Sequence, residues 1–288
     1  MTAAERGPVL WQLELSPYNE KVRWALDYKR IAHVRRPLLP GAHLLVARRL
    51  THGACETTPV LTLDGHSIGE SSQILAELER RWPEPALYPS DAGERRRAVE
   101  LEAHCDVELG EHMRRAIYEQ LLGRPDLLLP VFVHNQPWFA RTLLRGVFPI
   151  LRRGMRRRFR ITSSAAAQSR GRVLAAVDLL ERELAAGAGE YLVADRFSAA
   201  DLTAAAMLYP IARPPTFPYP IPEVPSQAHE FMNALADRPI GHWVALMYQR
   251  HRSAAGAVRV TGESLSPLAT YAATRGRPSR TPDGDRAR

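Results

Sequence analysis

The chain has 288 residues, 45% of them hydrophobic, and a formal net charge of +8, which allows a real core in one or two domains. Two cysteines, Cys55 and Cys105, exclude a disulfide framework and suit a reducing compartment, so a cytoplasmic location is expected. No apolar run reaches the roughly 20 residues that span a bilayer, and residues 1–7 are short and polar, unlike a signal peptide. Lys21 and Lys29 are the only lysines, so the basic excess is arginine, which together with the many alanines gives the chain a bacterial look. The excess gathers at Arg152, Arg153, Arg156, Arg157, Arg158 and Arg160 and in a tail with Arg275, Arg277, Arg280, Arg286 and Arg288. It reads as two local sources rather than as a nucleic-acid face.

The first element is a strand-like run from Val9 to Leu15. Ser16 followed by Pro17 is a good N-cap before a good first helical residue, and Val22, Ala25, Leu26 and Tyr28 recur at helical spacing. Ser16 therefore sits at a strand-to-helix switch, where an anion is welcome. By itself it could equally be an ordinary cap. Ala32 to Leu38 reads as a second strand and His43 to Leu50 as a short helix.

Thr58-Pro59-Val60-Leu61 opens a strand with a proline, which cannot serve a central ladder, and Asp64-Gly65 is a hairpin turn signal. A proline there suggests a cis bond, with the Thr58 backbone turned outward to pair with an extended peptide; the alternative is an edge-strand proline. Glu70-Ser71 opens the next helix, whose core side carries Ile74, Leu75 and Leu78. Its first N–H groups and the Ser71 hydroxyl can take a carboxylate, and Glu70 can pair with an ammonium. An acidic residue in a first turn can also be simple dipole chemistry.

Beyond a linker at Trp82-Pro83-Glu84-Pro85 the pattern is helical. Long helices are expected over Asp91–Leu122 and Thr162–Ala186. A buried helix is expected over Ser198–Ile211, and shorter ones over Gln227–Ala236 and Pro239–Arg252. Arg213 to Pro225 is too proline-rich to be helical. His104, Glu108 and His112 fall at i, i+4 and i+8, but one helix offers ligands along a line, so a polar stripe is preferred and no metal is expected. The stretch from Pro125 to Arg160 mixes many apolar residues with arginines. It reads as a lid or substrate wall, a membrane-surface helix or a subunit contact. The first is favoured, with the apolar residues packed inside the chain and Arg152–Arg160 solvated.

Ser16-Pro17-Tyr18 with Lys21-Val22-Arg23 and Ala25-Leu26, the Thr58–Leu61 loop and the Glu70-Ser71 turn, in this order, resemble the glutathione S-transferase superfamily. A fourth stretch, Phe197-Ser198-Ala199-Ala200-Asp201, resembles the capping box of that family's helical domain, where Asp201 answers the Ser198 cap. The resemblance covers residues 8–83, extends more thinly over 90–121 and 166–252, and leaves out about 122–165 and everything after 253.

The resemblance implies an α/β thioredoxin-like N-terminal domain followed by an all-α helical domain. The boundaries expected are 1–83 for the first, 84–90 for a linker, 91–252 for the helical domain with an insertion at about 122–165, and 253–288 for an extended, partly disordered tail. It implies a transferase that activates a low-molecular-weight thiol, glutathione or another, for attack on an apolar electrophile. Conjugation, isomerisation and thiolytic cleavage all suit a serine at the thiol, and detoxification is the role such chemistry serves. Ser16 would donate to the sulfur, with Tyr18 or Asn19 as substitutes. Thr58, beside Pro59, would pair with the peptide backbone, and Glu70 and Ser71 would hold its γ-glutamyl end. His52, or Arg48 or Arg49, would meet the glycyl carboxylate. A homodimer is expected, with neither a nucleic acid nor a membrane surface as partner. The rival reading is a non-catalytic binding or adaptor protein on the same fold.

Overall fold

The computed structural model describes residues 7–187 and 189–252, together with the backbone of 258–260. Strand β1 (Val9–Gln12) leads into helix α1 (Pro17–Tyr28), followed by β2 (His33–Pro37), α2 (Ala42–Leu50), β3 (Val60–Leu63), β4 (His66–Gly69) and α3 (Ser71–Arg81). β1 and β2 are parallel, with Val9 opposite Val34. β3 runs antiparallel to both β1 and β4, with Val60 opposite Trp11 and Gly69. The hairpin turns on Asp64 and Gly65, both at positive φ, which is the backbone that a two-residue hairpin demands. This is the thioredoxin-like unit the resemblance implies.

The sheet gains a strand that the sequence pattern does not announce. Backbone at β5 (Val258–Val260) adds to it in parallel beside β2, giving the order β4-β3-β1-β2-β5. A stretch expected only to trail away as a tail thus contributes an edge strand; three residues are too few to show a period.

The helical part begins with α4 (Ala92–His104), whose cap Asp91 accepts from the N–H groups of Gly93 and Glu94. The backbone then widens into a π-helical segment over Cys105–Glu111 before α5 (His112–Leu121). Across this stretch His112 Nε2 still lies 3.8 Å from Glu108 Oε2. Glu108 pairs with Arg172, and His112 hydrogen-bonds Ser169. Next come α6 (Pro125–Phe132), α7 (Ala140–Arg158), α8 (Ser163–Ala186), α9 (Ala199–Ala212), α10 (Ser226–Ala236) and α11 (Pro239–His251). From Ala199 to Ile211, α9 is buried all round. It packs against α1, α4 and α11, and α1 also packs on α3.

The expectation that the apolar residues of 125–160 all pack inside is half correct. Leu128, Leu129, Val131, Phe132, Leu144 and Phe148 are buried, while Trp138, Leu143, Val147 and Ile150 are exposed. One face of α7 docks; the adjoining apolar face stays exposed among the described residues. The arginines of α7 are solvated, as expected.

Candidate functional site

The loop after β1 makes a tight turn in which the Ser16 N–H donates to the Leu13 carbonyl at 3.1 Å. Ser16 has extended backbone and its carbonyl accepts the first helical bond, from Glu20 at 3.0 Å, so it is the N-cap by position. Its hydroxyl makes no capping bond. Among the described residues this half-buried hydroxyl has no hydrogen-bond partner, and it stands at the positive end of α1. Three residues on, Asn19 is fully buried; its Nδ2 donates to Thr58 Oγ1 at 3.4 Å and its Oδ1 has no partner among the described residues.

Asn19 thereby ties the start of α1 to the loop before β3. The Thr58–Pro59 peptide is cis, and neither backbone group of Thr58 has a backbone partner among the described residues. Cys55 packs behind this loop. Its Sγ lies 3.1 Å from the Thr57 carbonyl and 3.6 Å from Glu70 Oε1, and a Cβ on Gly69 would meet it at 2.4–2.6 Å. Gly69 is therefore needed for close approach, and Cys55 joins the proline loop to the Glu70 turn. Glu70 is exposed and holds φ 61°, ψ 118°, a strained backbone for a residue with a Cβ. Ser71, buried, opens α3, so its N–H lies in the unpaired first turn.

Ser16, Asn19, Thr58, Pro59, Glu70 and Ser71 thus lie along one rim, linked by the contacts of Asn19 and Cys55. Two other residues stand apart. The Tyr18 hydroxyl donates to the Asp106 carbonyl at 2.6 Å, deep in the seam with the helices, and burial pushes its pKa well up. Gly110 permits this approach, since a Cβ there would lie 2.4 Å from the Tyr18 oxygen. His52 occupies the exposed turn after α2 with φ 53°, outside the loop that its neighbour Thr51 holds by accepting from the Cys55 N–H at 2.9 Å.

The seam beneath is a buried polar network. Lys21 Nζ donates to Ser72 Oγ at 2.9 Å, to Asp106 Oδ2 at 2.7 Å, and lies 2.8 Å from Glu102 Oε1. The Tyr88 hydroxyl donates to Glu102 Oε2 at 2.7 Å. Lys21 and Arg23 were legible only as letters of a motif; they join α1 to the helices and to the β1–α1 loop. Arg23 donates to the Glu14 carbonyl at 2.9 Å and lies over the Tyr219 ring.

The helical domain holds that loop from above. Tyr209 donates its hydroxyl to the Leu15 carbonyl at 2.9 Å and stacks on Phe217 at 4.2 Å. The turn between α6 and α7 grips the Glu14 carboxylate through His134 Nδ1 at 2.9 Å and Asn135 Nδ2 at 2.8 Å. Burial raises the Glu14 pKa, and these two hydrogen bonds pull against the rise. Sequence reasoning missed this clasp, since His134-Asn135-Gln136-Pro137 reads only as a turn and nothing local ties it to Glu14. Among the described residues no cluster of metal-ligating side chains is present.

The profile of the glutathione S-transferase N-terminal domain matches residues 10–86, and that of the C-terminal domain matches residues 137–234. These matches support membership of the glutathione S-transferase superfamily. The second begins inside the stretch read as an insertion, so the family likeness reaches into α7, further than the motifs indicated. No curated protein matches the chain. Among solved structures, the β-etherase LigF from Sphingobium sp. strain SYK-6 superposes with a TM-score of 0.60 at 16% identity, over 85% of this chain and 96% of that one. A Tau class transferase from mango, Mangifera indica, gives 0.56 at 14%, over 85% and 90%. A glutathione S-transferase from Methylobacillus flagellatus KT, with glutathione bound, gives 0.55 at 20%, over 85% and 96%. At such identities the superpositions speak for the superfamily fold alone.

Proposed function

We propose that the chain is a glutathione-transferase-like enzyme that activates a small thiol, glutathione first among candidates, for attack on an apolar electrophile. The observation that carries this is the uncommitted Ser16 hydroxyl at the start of α1, next to the unpaired Thr58 backbone and the strained Glu70-Ser71 turn. In this reading residues 1–83 form the thiol-binding domain and residues 91–252 supply the electrophile wall. Thr58 would pair with the cysteinyl backbone, and Glu70 and Ser71 would hold the γ-glutamyl end. Ser16 would be the donor, a reading supported by the Tyr18 hydroxyl being turned to the Asp106 carbonyl.

The energetics suffice. A free thiol titrates near pH 8.5, so making the thiolate dominant at neutral pH takes a shift of about two units, or about 2.7 kcal/mol. A charge-assisted hydrogen bond supplies about 1.5–3 kcal/mol and the helix terminus about 0.3–1. No proton acceptor need sit beside the sulfur.

Ser16→Ala is accordingly expected to cut conjugation of glutathione to an aryl halide by about tenfold or more at pH 7, with KM for the thiol little changed. Raising the pH towards 9 should restore most of the rate, because the thiol then ionises unaided. Full activity at pH 7 would move the donor role to Asn19. Intact thiol binding with no turnover of any electrophile in the wild type would instead make the chain a binding protein.

The pair Glu70→Ala and Ser71→Ala is expected to weaken glutathione binding by about ten- to a hundredfold in calorimetric titration, the loss of one charge-assisted hydrogen bond. Its thermal midpoint should stay close to that of the wild type, since Glu70 is exposed and alanine keeps a Cβ at the same backbone. Unaltered affinity would refute the assignment of this turn.

A further inference from the structure

Helix α7 carries more apolar surface than the described residues cover. Ala140, Leu144 and Phe148 face inward, with Leu151 and Met155 half-buried behind them. Beside this face Leu143, Val147 and Ile150 recur at i, i+4 and i+7, and stay 54%, 41% and 76% exposed. Trp138, just before the helix, is 88% exposed and sets its ring edge-on to Phe139. The result is an aromatic-aliphatic strip along a helix about 28 Å long.

The rest of the helix is cationic. Its seven arginines, Arg141, Arg145, Arg152, Arg153, Arg156, Arg157 and Arg158, are all exposed, and none forms an ion pair with a described residue. No acidic residue occurs between Asp126 and Asp178. A partner must therefore accept apolar side chains and supply negative charge at once.

We propose that α7 docks this face on an anionic lipid bilayer surface. The strip would lie among the outermost acyl carbons and the arginines at the level of the phosphates, as in helices that lie in the membrane interface. The helix lies on the surface, since no helix among the described residues is long and apolar enough to cross. A second copy of α7 across a two-fold axis would set seven arginines against seven. Residues 261–288 carry five arginines against three acids, so they offer no complementary charge either. A nucleic acid would satisfy the arginines and leave the strip in water.

The test is co-sedimentation of the full chain with vesicles of phosphatidylcholine alone, and of phosphatidylcholine containing about one-third phosphatidylglycerol, at about 0.1 M salt. Partition into the anionic vesicles is expected to exceed that into the neutral ones by about tenfold or more. Leu143→Glu with Ile150→Glu should reduce it by about tenfold or more. So should Arg152, Arg153, Arg156 and Arg157 changed together to Gln. All six positions are exposed, and an unchanged thermal midpoint shows that the fold is kept. Equal partition into both vesicles, or wild-type partition by either variant, overturns the proposal. So does a concentration-dependent dimer that the double Glu variant dissolves without any vesicle binding, which would give the face to a second copy.

Discussion

Replacing Arg252 by alanine is expected to lower stability by about 3–5 kcal/mol, the cost of leaving buried carboxylates short of their counter-ion. Arg252 follows α11 and reaches α1, where its Nε donates to Glu20 at 2.7 Å and its Nη1 to Asp27. Arg23 shares Glu20 at 2.7 Å and Arg35 shares Asp27 at 2.6 Å, and all five side chains are buried. Burial alone would raise the Glu20 pKa, but Arg252 and Arg23 outweigh it and hold the carboxyl below its usual range. A folded value below the unfolded one means that this stabilisation is present at neutral pH. It is lost as pH falls below about 4.3, the unfolded value, towards the folded one. Urea denaturation at pH 7, 5, 4 and 3 should therefore show a steep loss in the wild type below about pH 4.3. Arg252→Ala should be weak already at pH 7 and fall less between pH 5 and 3. A variant within about 1 kcal/mol of wild type at pH 7 would contradict the role given to this cluster.

Asp201→Ala is expected to cost about 3–5 kcal/mol by a different route. The fully buried Asp201 accepts from the Leu192 N–H at 2.7 Å, the Ser198 N–H at 2.8 Å and the Ser198 hydroxyl at 2.7 Å. Removing it strands these donors, at about 1–3 kcal/mol for each that stays buried and unpaired. Asp201→Asn keeps one acceptor oxygen and should lose less. Burial raises the Asp201 pKa to about 6, against the pull of its hydrogen bonds. The folded value is above the unfolded one, so the sign is opposite to that of Glu20. This contribution is complete below about 3.9 and is lost as pH rises through about 6. Wild type should thus lose stability between pH 5 and 7 through this group, a step absent from Asp201→Asn. Thermal melts of both across that range decide the point, and identical pH profiles would rule it out.

Some of this molecule was legible one segment at a time. Ser16-Pro17 starts a helix, Asp64-Gly65 turns a hairpin, and Ser198 with Asp201 closes a capping box. Each is a signal whose parts lie within a few residues, so local sterics and hydrogen bonding suffice. Ser16, Glu70 and Ser71 were legible as helix starts for the same reason, because each caps or opens an element.

What lay between those elements was not legible. Glu20, Lys21, Arg23 and Asp27 crowd one helix with nothing in the sequence to name their partners; all four are buried, and Arg252 meets two of them from more than 220 residues away. Tyr18 stands in the motif beside Ser16, but the widened backbone at Cys105–Glu111 and the missing side chain of Gly110 turn its hydroxyl away from the rim. His134 and Asn135 reach Glu14 across about 120 residues with no motif to mark them. On α7 the period predicted one apolar face, and only the packed helices decided that Leu144 and Phe148 would be covered while Leu143 and Ile150 would not. Composition and period determine which side chains seek cover and which backbone positions cap or turn. Which of them meet depends on how helices far apart in the chain stack, and that is set by shape and charge complementarity that no single segment contains.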